Sequence, residues 1–300
     1  MARPPLVLTI EQEKNLGALI QSRSRPWLSL SALLALSLTA RAGDSILAGT
    51  IIVVALAKDH VVVAADSRLG ASNGTTVASV DDTYCKIAPL QGKTLFAAAG
   101  IVTDPDRNWS ADNEMAVAIY SSPPAGRMDT EAGRSAMGRW AESMIRKLTS
   151  LPRKQLLAYV AANDGVAATG ILAGMDKDAN SWAVVSKIAF DGSQGLAHSE
   201  SSIAPPGSEA KYFGLGKSEI AIEFDHGDTP RATAERVQWD GMNLSGIEFA
   251  RFKARRLVEL TIAHTANNAD VGGPVDEIEL DAGGLHWIQV KPHCAPEDQH

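Results

Sequence analysis

The chain has 300 residues and a formal net charge of -7, with 45% hydrophobic and 21% charged residues. This length and composition are ordinary for one large or two small globular domains that bury a substantial core. Because acidic residues are in excess and no run of lysine and arginine occurs, nucleic acid and anionic membrane surfaces are not expected as partners.

Residues 1–42 are predicted to be a secretory signal with a long lead. Two arginines precede an apolar stretch at 27–38, and Ala40-Arg41-Ala42 fits the small-x-small cleavage rule. The apolar stretch is shorter than the helix of about 20 residues that spans a membrane. Residues 43–49 would then be a short propeptide, and the mature protein would be periplasmic or secreted, without membrane attachment. The acidic residues in the lead at 1–22 leave a cytoplasmic location open.

Two consecutive apolar strands are predicted next. One runs from Thr50 to Ala57 and the other from His60 to Arg68, with a turn at Lys58-Asp59 between them. In an antiparallel hairpin about this turn, paired residue numbers sum to about 116 to 118. Thr50 is therefore expected across from the segment Asp66 to Arg68, so that a hydroxyl, a carboxylate and a guanidinium meet at one end of the hairpin.

The remaining elements are predicted in the order β, α, β, α, β. Further strands are expected at Lys86–Pro89, Thr94–Gly100, Val166–Met175, Trp182–Phe190, Val275–Leu280 and Leu285–Val290. Two helices are expected between Asn113 and Ala162, the clearer at Thr130–Leu151, and one more at about Ser245–Ala266. The stretches Gly70–Asp82, Thr103–Asn113 and Asp191–Ser208 are predicted to be loops.

The first strands are apolar at nearly every position, which is typical of sheets that are covered on both faces. This pattern favours an α+β fold in which two mainly antiparallel sheets lie between two helix layers, a four-layer αββα sandwich. One domain is expected at 50–291, followed by a tail at 292–300.

The two cysteines, Cys85 and Cys294, leave more than one interpretation open. A single disulfide is compatible with an oxidising compartment, but a buried free thiol is favoured for Cys85. A metal site formed by Cys294 with His293 and His300 is disfavoured because the spacing matches no standard zinc pattern. No metal and no cofactor are predicted.

Thr50, Asp66 and Lys86 are the candidate catalytic residues. A threonine that becomes the amino terminus, beside a lysine and an aspartate, can be an acyl-transfer nucleophile. Taken singly, each residue has an ordinary explanation: a β-forming threonine, a polar strand end and a surface lysine. Their combination in one hairpin register behind a glycine favours catalysis.

These segments resemble the β-subunits of the proteasome, the threonine-type members of the N-terminal nucleophile hydrolases. The matching segments are Gly49-Thr50, Val61–Arg68, Lys86-Ile87, Ala97–Gly100, Ile171–Asp176 and Val271–Val275. The resemblance implies the αββα fold, synthesis as a zymogen, self-processing after Gly49, and hydrolysis of a peptide or small amide. It also allows a ring-like homo-oligomer.

The resemblance implies a role for each site residue. The hydroxyl of Thr50 would be the nucleophile, and its freed α-amine, whose reference pKa is about 7.7–8.0, the general base. Lys86 would lower the pKa of both groups, and Asp66 would hold Lys86 in place. The backbone N–H of Gly100 would stabilise the oxyanion. Supporting residues would be Ser67, Arg68, Asn268 and Asp270.

The chain also departs from the family pattern. Gly214-Leu215-Gly216 carries a leucine where the family has a serine between two glycines. Asn268 and Val271 stand where the family has an acid and a further serine, and Asp270 is offset from the acid position by two residues. A catalytically silent protein that uses the same fold for assembly or binding is therefore the alternative.

Overall fold

The computed structural model describes residues 46–72, 77–90, 93–121, 128–192, 195–203, 209–244, 246–265, 271–291 and 294. Within these ranges the strands are β1 (Ile46–Ala48), β2 (Ile51–Leu56), β3 (His60–Ala65), β4 (Leu69–Ser72), β5 (Val77–Asp81), β6 (Ile87–Leu90), β7 (Thr94–Gly100), β8 (Thr103–Asp104), β9 (Trp109–Ser110), β10 (Val166–Met175), β11 (Ser181–Asp191), β12 (Gly195–Ile203), β13 (Lys211–Gly216), β14 (Asp276–Asp281) and β15 (Leu285–Gln289). The helices are α1 (Ala111–Tyr120), α2 (Thr130–Thr149), α3 (Arg153–Ala162), α4 (Glu219–His226), α5 (Pro230–Asp240) and α6 (Gly246–His264). The predicted α+β class and the β, α, β, α, β order are confirmed.

The strands form three antiparallel sheets in the described part of the chain. The hairpin sheet has the order β13-β2-β3-β14-β15, and the second sheet has the order β12-β11-β10-β7-β6. A third, smaller sheet has the order β5-β4-β1-β8-β9. In the hairpin itself Ile52 lies opposite Ala65, and 52 plus 65 gives 117, so the predicted register is confirmed.

Alternation of side chains along β2 divides its apolar residues between two cores. Ile52, Val54 and Leu56 pack with the inner face of the second sheet, whereas Ile51 and Val53 pack with α4, α5 and α6. The outer face of the second sheet packs on α1, α2 and α3 in a third core. Because successive strand residues point to opposite faces, a strand between two cores needs apolar residues at every position.

The prediction of two sheets is wrong in one respect, because the described residues form a third. The segment 70–82, predicted as a loop, contains part of β4 and all of β5. β1 comes from the predicted propeptide and lies between β4 and β8. β1, β4 and β5 are short, so no long apolar run in the sequence indicates them.

Other boundaries also differ from the predictions. Residues 191–208 were predicted as a loop, but they include β12, an edge strand that pairs only with β11 and therefore tolerates a polar sequence. The region between Asn113 and Ala162 holds three described helices instead of two, with α1 beginning at Ala111 inside the predicted loop. None of the helices in the described ranges is long and apolar enough to cross a bilayer.

The prediction of a free thiol at Cys85 is also wrong. Cys85 and Cys294 form a disulfide with their Cα atoms 5.5 Å apart, although 209 positions separate them in the chain. After β15 the chain returns to the start of β6, a long-range approach that residue spacing does not reveal. Cys294 is thus not a free thiolate for a metal, and the proposed partners His293 and His300 lie outside the described residues.

Candidate active site

The carboxylate of Asp66 is the centre of the site, at the open end of the hairpin. Its Oδ1 accepts hydrogen bonds from Thr50 Oγ1 at 3.0 Å and from Lys86 Nζ at 2.7 Å. The backbone N–H of Ile51 donates to the same oxygen at 2.9 Å. The structure therefore brings together the three side chains that the sequence pattern singled out.

Lys86 is buried against this carboxylate. Its side chain is 1% exposed and that of Asp66 is 0% exposed. Nζ also donates to the carbonyl oxygens of Gly49 at 3.2 Å and of Arg68 at 2.5 Å. These acceptors offset the cost of removing an ammonium ion from water, since a buried charge needs both a counter-ion and hydrogen bonds. One cation thus contacts both Asp66 and the peptide group that precedes Thr50.

The second carboxylate oxygen of Asp66 is bound by backbone groups. Oδ2 accepts from the N–H of Arg68 at 3.2 Å and from the N–H of Gly272 at 2.9 Å. The carbonyl of Gly272 in turn accepts from the N–H groups of Ser67 and Arg68, both at 3.0 Å. A Cβ on Gly272 would lie 2.7 Å from the guanidinium carbon of Arg68. Gly272, which was matched only by resemblance, therefore binds the second oxygen of the Asp66 carboxylate and packs closely against Arg68.

Gly216, at the end of β13, sets the backbone position of Thr50. It pairs with Ile51, and the N–H of Lys217 donates to the carbonyl of Thr50 at 2.9 Å. Gly216 has φ +78, and a Cβ there would lie 2.2 Å from the carbonyl oxygen of Thr50. Only glycine combines this backbone conformation with so close an approach.

Ser67, a predicted supporting residue, is fully buried. Its hydroxyl donates to the carbonyl of Pro274 and accepts a hydrogen bond from Lys291 Nζ at 2.7 Å. The Ser67 hydroxyl therefore links the segment that carries Asp66 to Pro274 and Lys291. It takes no part in the hydrogen bond between Thr50 and Asp66.

Arg68, the second supporting residue, binds the carboxylate of Asp82 at 2.6 Å through Nε and at 2.9 Å through Nη2. The hydrogen bond with Asp82 raises the pKa of the Arg68 guanidinium above its ordinary value. The Arg68 side chain is partly exposed. Its backbone N–H donates to Asp66, and its carbonyl oxygen accepts from Lys86. The other two supporting residues, Asn268 and Asp270, lie outside the described residues.

The two apolar departures from the family pattern are both buried. Leu215 is 4% exposed and packs in the core between the two large sheets, opposite Ile52. Val271 is 3% exposed and packs in the core beneath α6. Neither position supplies a hydroxyl to the site.

A cleft of about 350 Å³ opens beside Gly49 and Thr50, and Gly100 is part of its wall. The cleft is also lined by polar residues that no sequence motif indicated. They include Tyr159, Asn163, Thr169, Lys187 and Ser218. Lys187 follows Ala183 and Val185 on alternate positions of β11 and interrupts that apolar row. This break in the apolar row, with Thr169 at the paired position of β10, indicates that the space between the sheets opens there to polar groups.

No protein-family model matches the sequence, and a comparison with curated proteins finds no relative that matches it. The assignment of a function therefore depends on the residues described above.

Proposed function

We propose that this protein is a threonine hydrolase of the N-terminal nucleophile type that cleaves itself between Gly49 and Thr50 and then hydrolyses peptides. The observation that carries the proposal is the cluster of Thr50, Asp66 and Lys86 around a single carboxylate oxygen, with Lys86 also on the carbonyl of Gly49. Lysine side chains are almost never fully buried unless they are paired. The burial of Lys86 together with Asp66 and Thr50 therefore favours a specific role over the ordinary ones of a surface lysine and a β-forming threonine.

The proposed fold is the four-layer αββα sandwich of that class. Its support is the packing of α4, α5 and α6 on one large sheet, of α1, α2 and α3 on the other, and of the two sheets on each other. Thr50 directly precedes β2 and lines the cleft, so a nucleophile at this position can be reached through the cleft.

The contacts around Gly49 and Thr50 support self-cleavage by the following steps. The Thr50 oxygen attacks the carbonyl carbon of Gly49 while its proton passes to the carboxylate of Asp66. Negative charge develops on the Gly49 oxygen, where Lys86 Nζ already donates. The C–N bond breaks, the Thr50 nitrogen takes the proton from the Asp66 carboxyl group and becomes a free amine, and the Gly49 acyl group is left as an ester on the Thr50 oxygen. Water hydrolyses this ester, which releases the carboxyl group of Gly49 and frees the hydroxyl of Thr50.

In the processed protein the same groups act on substrate. The free amine of Thr50 accepts the hydroxyl proton, directly or through water, as its oxygen attacks a substrate carbonyl. Lys86⁺ favours this step because a nearby cation lowers the pKa of an amine and of a hydroxyl. The backbone N–H of Gly100, on the cleft wall, is the proposed oxyanion donor.

The leader strand supports a peptide as substrate. In the uncleaved chain β1 pairs with β4 on one side, where Ala48 lies opposite Gly70, and with β8 on the other, where Leu47 lies opposite Thr103. Departure of the leader would expose two strand edges beside Thr50. An extended peptide can add to such edges through main-chain hydrogen bonds.

The Cys85–Cys294 disulfide supports an exported protein, because such bridges persist in oxidising compartments. We therefore favour a periplasmic or secreted location for the mature chain.

A catalytically silent binding protein is the second candidate. It is favoured by Leu215 and Val271, which are buried apolar residues where the resemblance expects serines that orient the terminal amine. Ser218, three positions after Leu215, also lines the cleft, so one serine hydroxyl is present there although position 215 has none.

A peptide α′,β′-epoxyketone separates these candidates. This electrophile closes a ring only with a hydroxyl and a free amine on the same residue, so mass spectrometry of the labelled peptide reports both groups. The proposal expects one adduct, on Thr50 at the amino terminus, and none in Thr50→Ala. A folded, processed protein that takes up no label would favour the binding protein.

A further inference from the structure

A second buried lysine lies directly behind the candidate site, on the segment after the last strand. Lys291 is 6% exposed, and its Nζ lies 2.6 Å from Oδ2 of Asp276, which is 1% exposed. The backbone N–H of Lys291 donates to the other oxygen of the same carboxylate at 3.2 Å. A lysine is rarely buried this deeply, and the pair alone gives weak evidence of a stabilising role.

The other contacts of the Lys291 ammonium join the two segments that carry the Asp66–Lys86 pair. Nζ donates to the hydroxyl of Ser67 at 2.7 Å and to the carbonyl of Tyr84 at 2.8 Å. Ser67 follows Asp66 directly, and Tyr84 lies two residues before Lys86. The N–H of Tyr84 donates to the carbonyl of Ser67 at 3.1 Å, which holds the same two segments together a second time.

The disulfide fixes the end of this arrangement. Cys294 lies three residues after Lys291, its N–H donates to the carbonyl of Lys291 at 3.0 Å, and its sulfur is bonded to Cys85, the neighbour of Lys86. Lys291 is thus held from both sides, by Asp276 in β14 and by the bridge at Cys85.

We propose that Lys291 is a positioning residue that sets where the ammonium of Lys86 lies relative to Asp66 and Thr50. It contacts neither Thr50 nor the cleft, and it acts by fixing the backbone on both sides of the ion pair. The catalytic consequence rests on the proposed function, because a displacement of about 1 Å in such a group costs roughly a hundredfold in rate. The geometric claim does not rest on it.

The test measures the accessibility of Lys86 and the rate of self-cleavage in the full-length chain. Lys291→Met alone would leave Asp276 as an unpaired buried charge, so the main variant is Asp276→Asn/Lys291→Met, and Lys291→Arg keeps the cation with a different shape. Met144→Ala, in the core between α2 and the second sheet, is the control for a general loss of stability. Acetylation by acetic anhydride is followed at Lys86, relative to the exposed Lys58, by peptide mass spectrometry.

Acetylation of Lys86 is expected to rise about tenfold or more in the double variant, and self-cleavage to slow by a similar factor. Lys291→Arg should fall between the wild type and the double variant in both measurements. Met144→Ala should lower the melting temperature without exposing Lys86. The proposal is overturned if Lys86 is as protected in Lys291→Arg and in the folded double variant as in the wild type, or if Met144→Ala exposes it equally. If the wild type does not cleave itself, the proposed function fails, while the acetylation series still decides the role of Lys291.

Discussion

The ammonium of Lys86 lies 3.2 Å from the carbonyl oxygen of Gly49, the residue whose bond to Thr50 is the proposed cleavage site. The same ammonium is 2.7 Å from Oδ1 of Asp66, and this oxygen also accepts a hydrogen bond from the Thr50 hydroxyl at 3.0 Å. In the proposed mechanism this one buried cation acts on the Gly49 carbonyl before cleavage and on the freed amine after it.

Lys86→Met should abolish cleavage after Gly49 and lower the free energy of unfolding by about 3–5 kcal/mol, because Asp66 is left as an unpaired buried charge. Urea unfolding and intact mass measure the two effects. Asp66→Asn/Lys86→Met removes both charges and should be more stable than Lys86→Met, yet equally uncleaved. Cleavage in either variant would show that the cation is dispensable.

Gly216→Ala should reduce labelling of Thr50 by the epoxyketone roughly a hundredfold. The added Cβ would lie 2.2 Å from the carbonyl oxygen of Thr50, so this carbonyl must move. The matched control is Gly195→Ala, where φ is +99 and nothing lies within 4 Å of the added Cβ. That variant should lose only about 1–2 kcal/mol of stability through its backbone conformation, with labelling near the wild-type rate. Equal labelling in the two variants would contradict the role of Gly216.

Replacing both Cys85 and Cys294 by serine should lower the free energy of unfolding by about 5 kcal/mol, as the chain-entropy estimate gives for a closed loop of 209 residues. Urea unfolding of the wild type with and without dithiothreitol measures the same difference. The serine variant, which has no bridge to reduce, should not respond to the reductant. Two thiols that react with a thiol reagent in the native exported protein would exclude the bridge.

Glu277→Gln should change how stability depends on pH. Burial raises the pKa of Glu277 to about 7, an effect that Arg255 and Arg251 only partly offset. Between its ordinary value and pH 7 the folded state therefore holds a proton that the unfolded state has lost. The stabilisation that this proton provides disappears as pH rises through 7.

The glutamine variant should match the wild type near pH 4 and exceed it in stability by about 3 kcal/mol at pH 8. Thermal unfolding across this range is the measurement, and Glu248→Gln, at an exposed position of α6, is the control. A difference between Glu277→Gln and the wild type that is constant with pH would contradict the assignment.

How far the sequence predicted this site depends on the range of each contact. The meeting of Thr50 with Asp66 follows from strand period and one tight turn, both of them local, and so it was predictable. The contact between Gly272 and Asp66 spans 206 positions and was suggested only by resemblance. No property of a Gly-Gly pair indicates which carboxylate it will bind.

The elements that were missed share a physical reason. β12 pairs along one edge only, and β1 is a short strand of three residues, so neither needs the apolar run that marks a covered strand. Lys291 and Cys294 reach the site from the far end of the chain, and a buried lysine has the same appearance in a sequence as an exposed one. Such residues are found only when the tertiary contacts are known.

The identity of the first residue of the mature protein tests the central claim most directly. The protein and its Thr50→Ala variant are produced in an exporting host, and each amino terminus is determined by mass spectrometry. The account predicts a wild-type chain that begins at Thr50 and a Thr50→Ala chain in which the bond after Gly49 is intact. A wild-type chain that still carries Gly49, or a Thr50→Ala chain cut at the same bond, would contradict it.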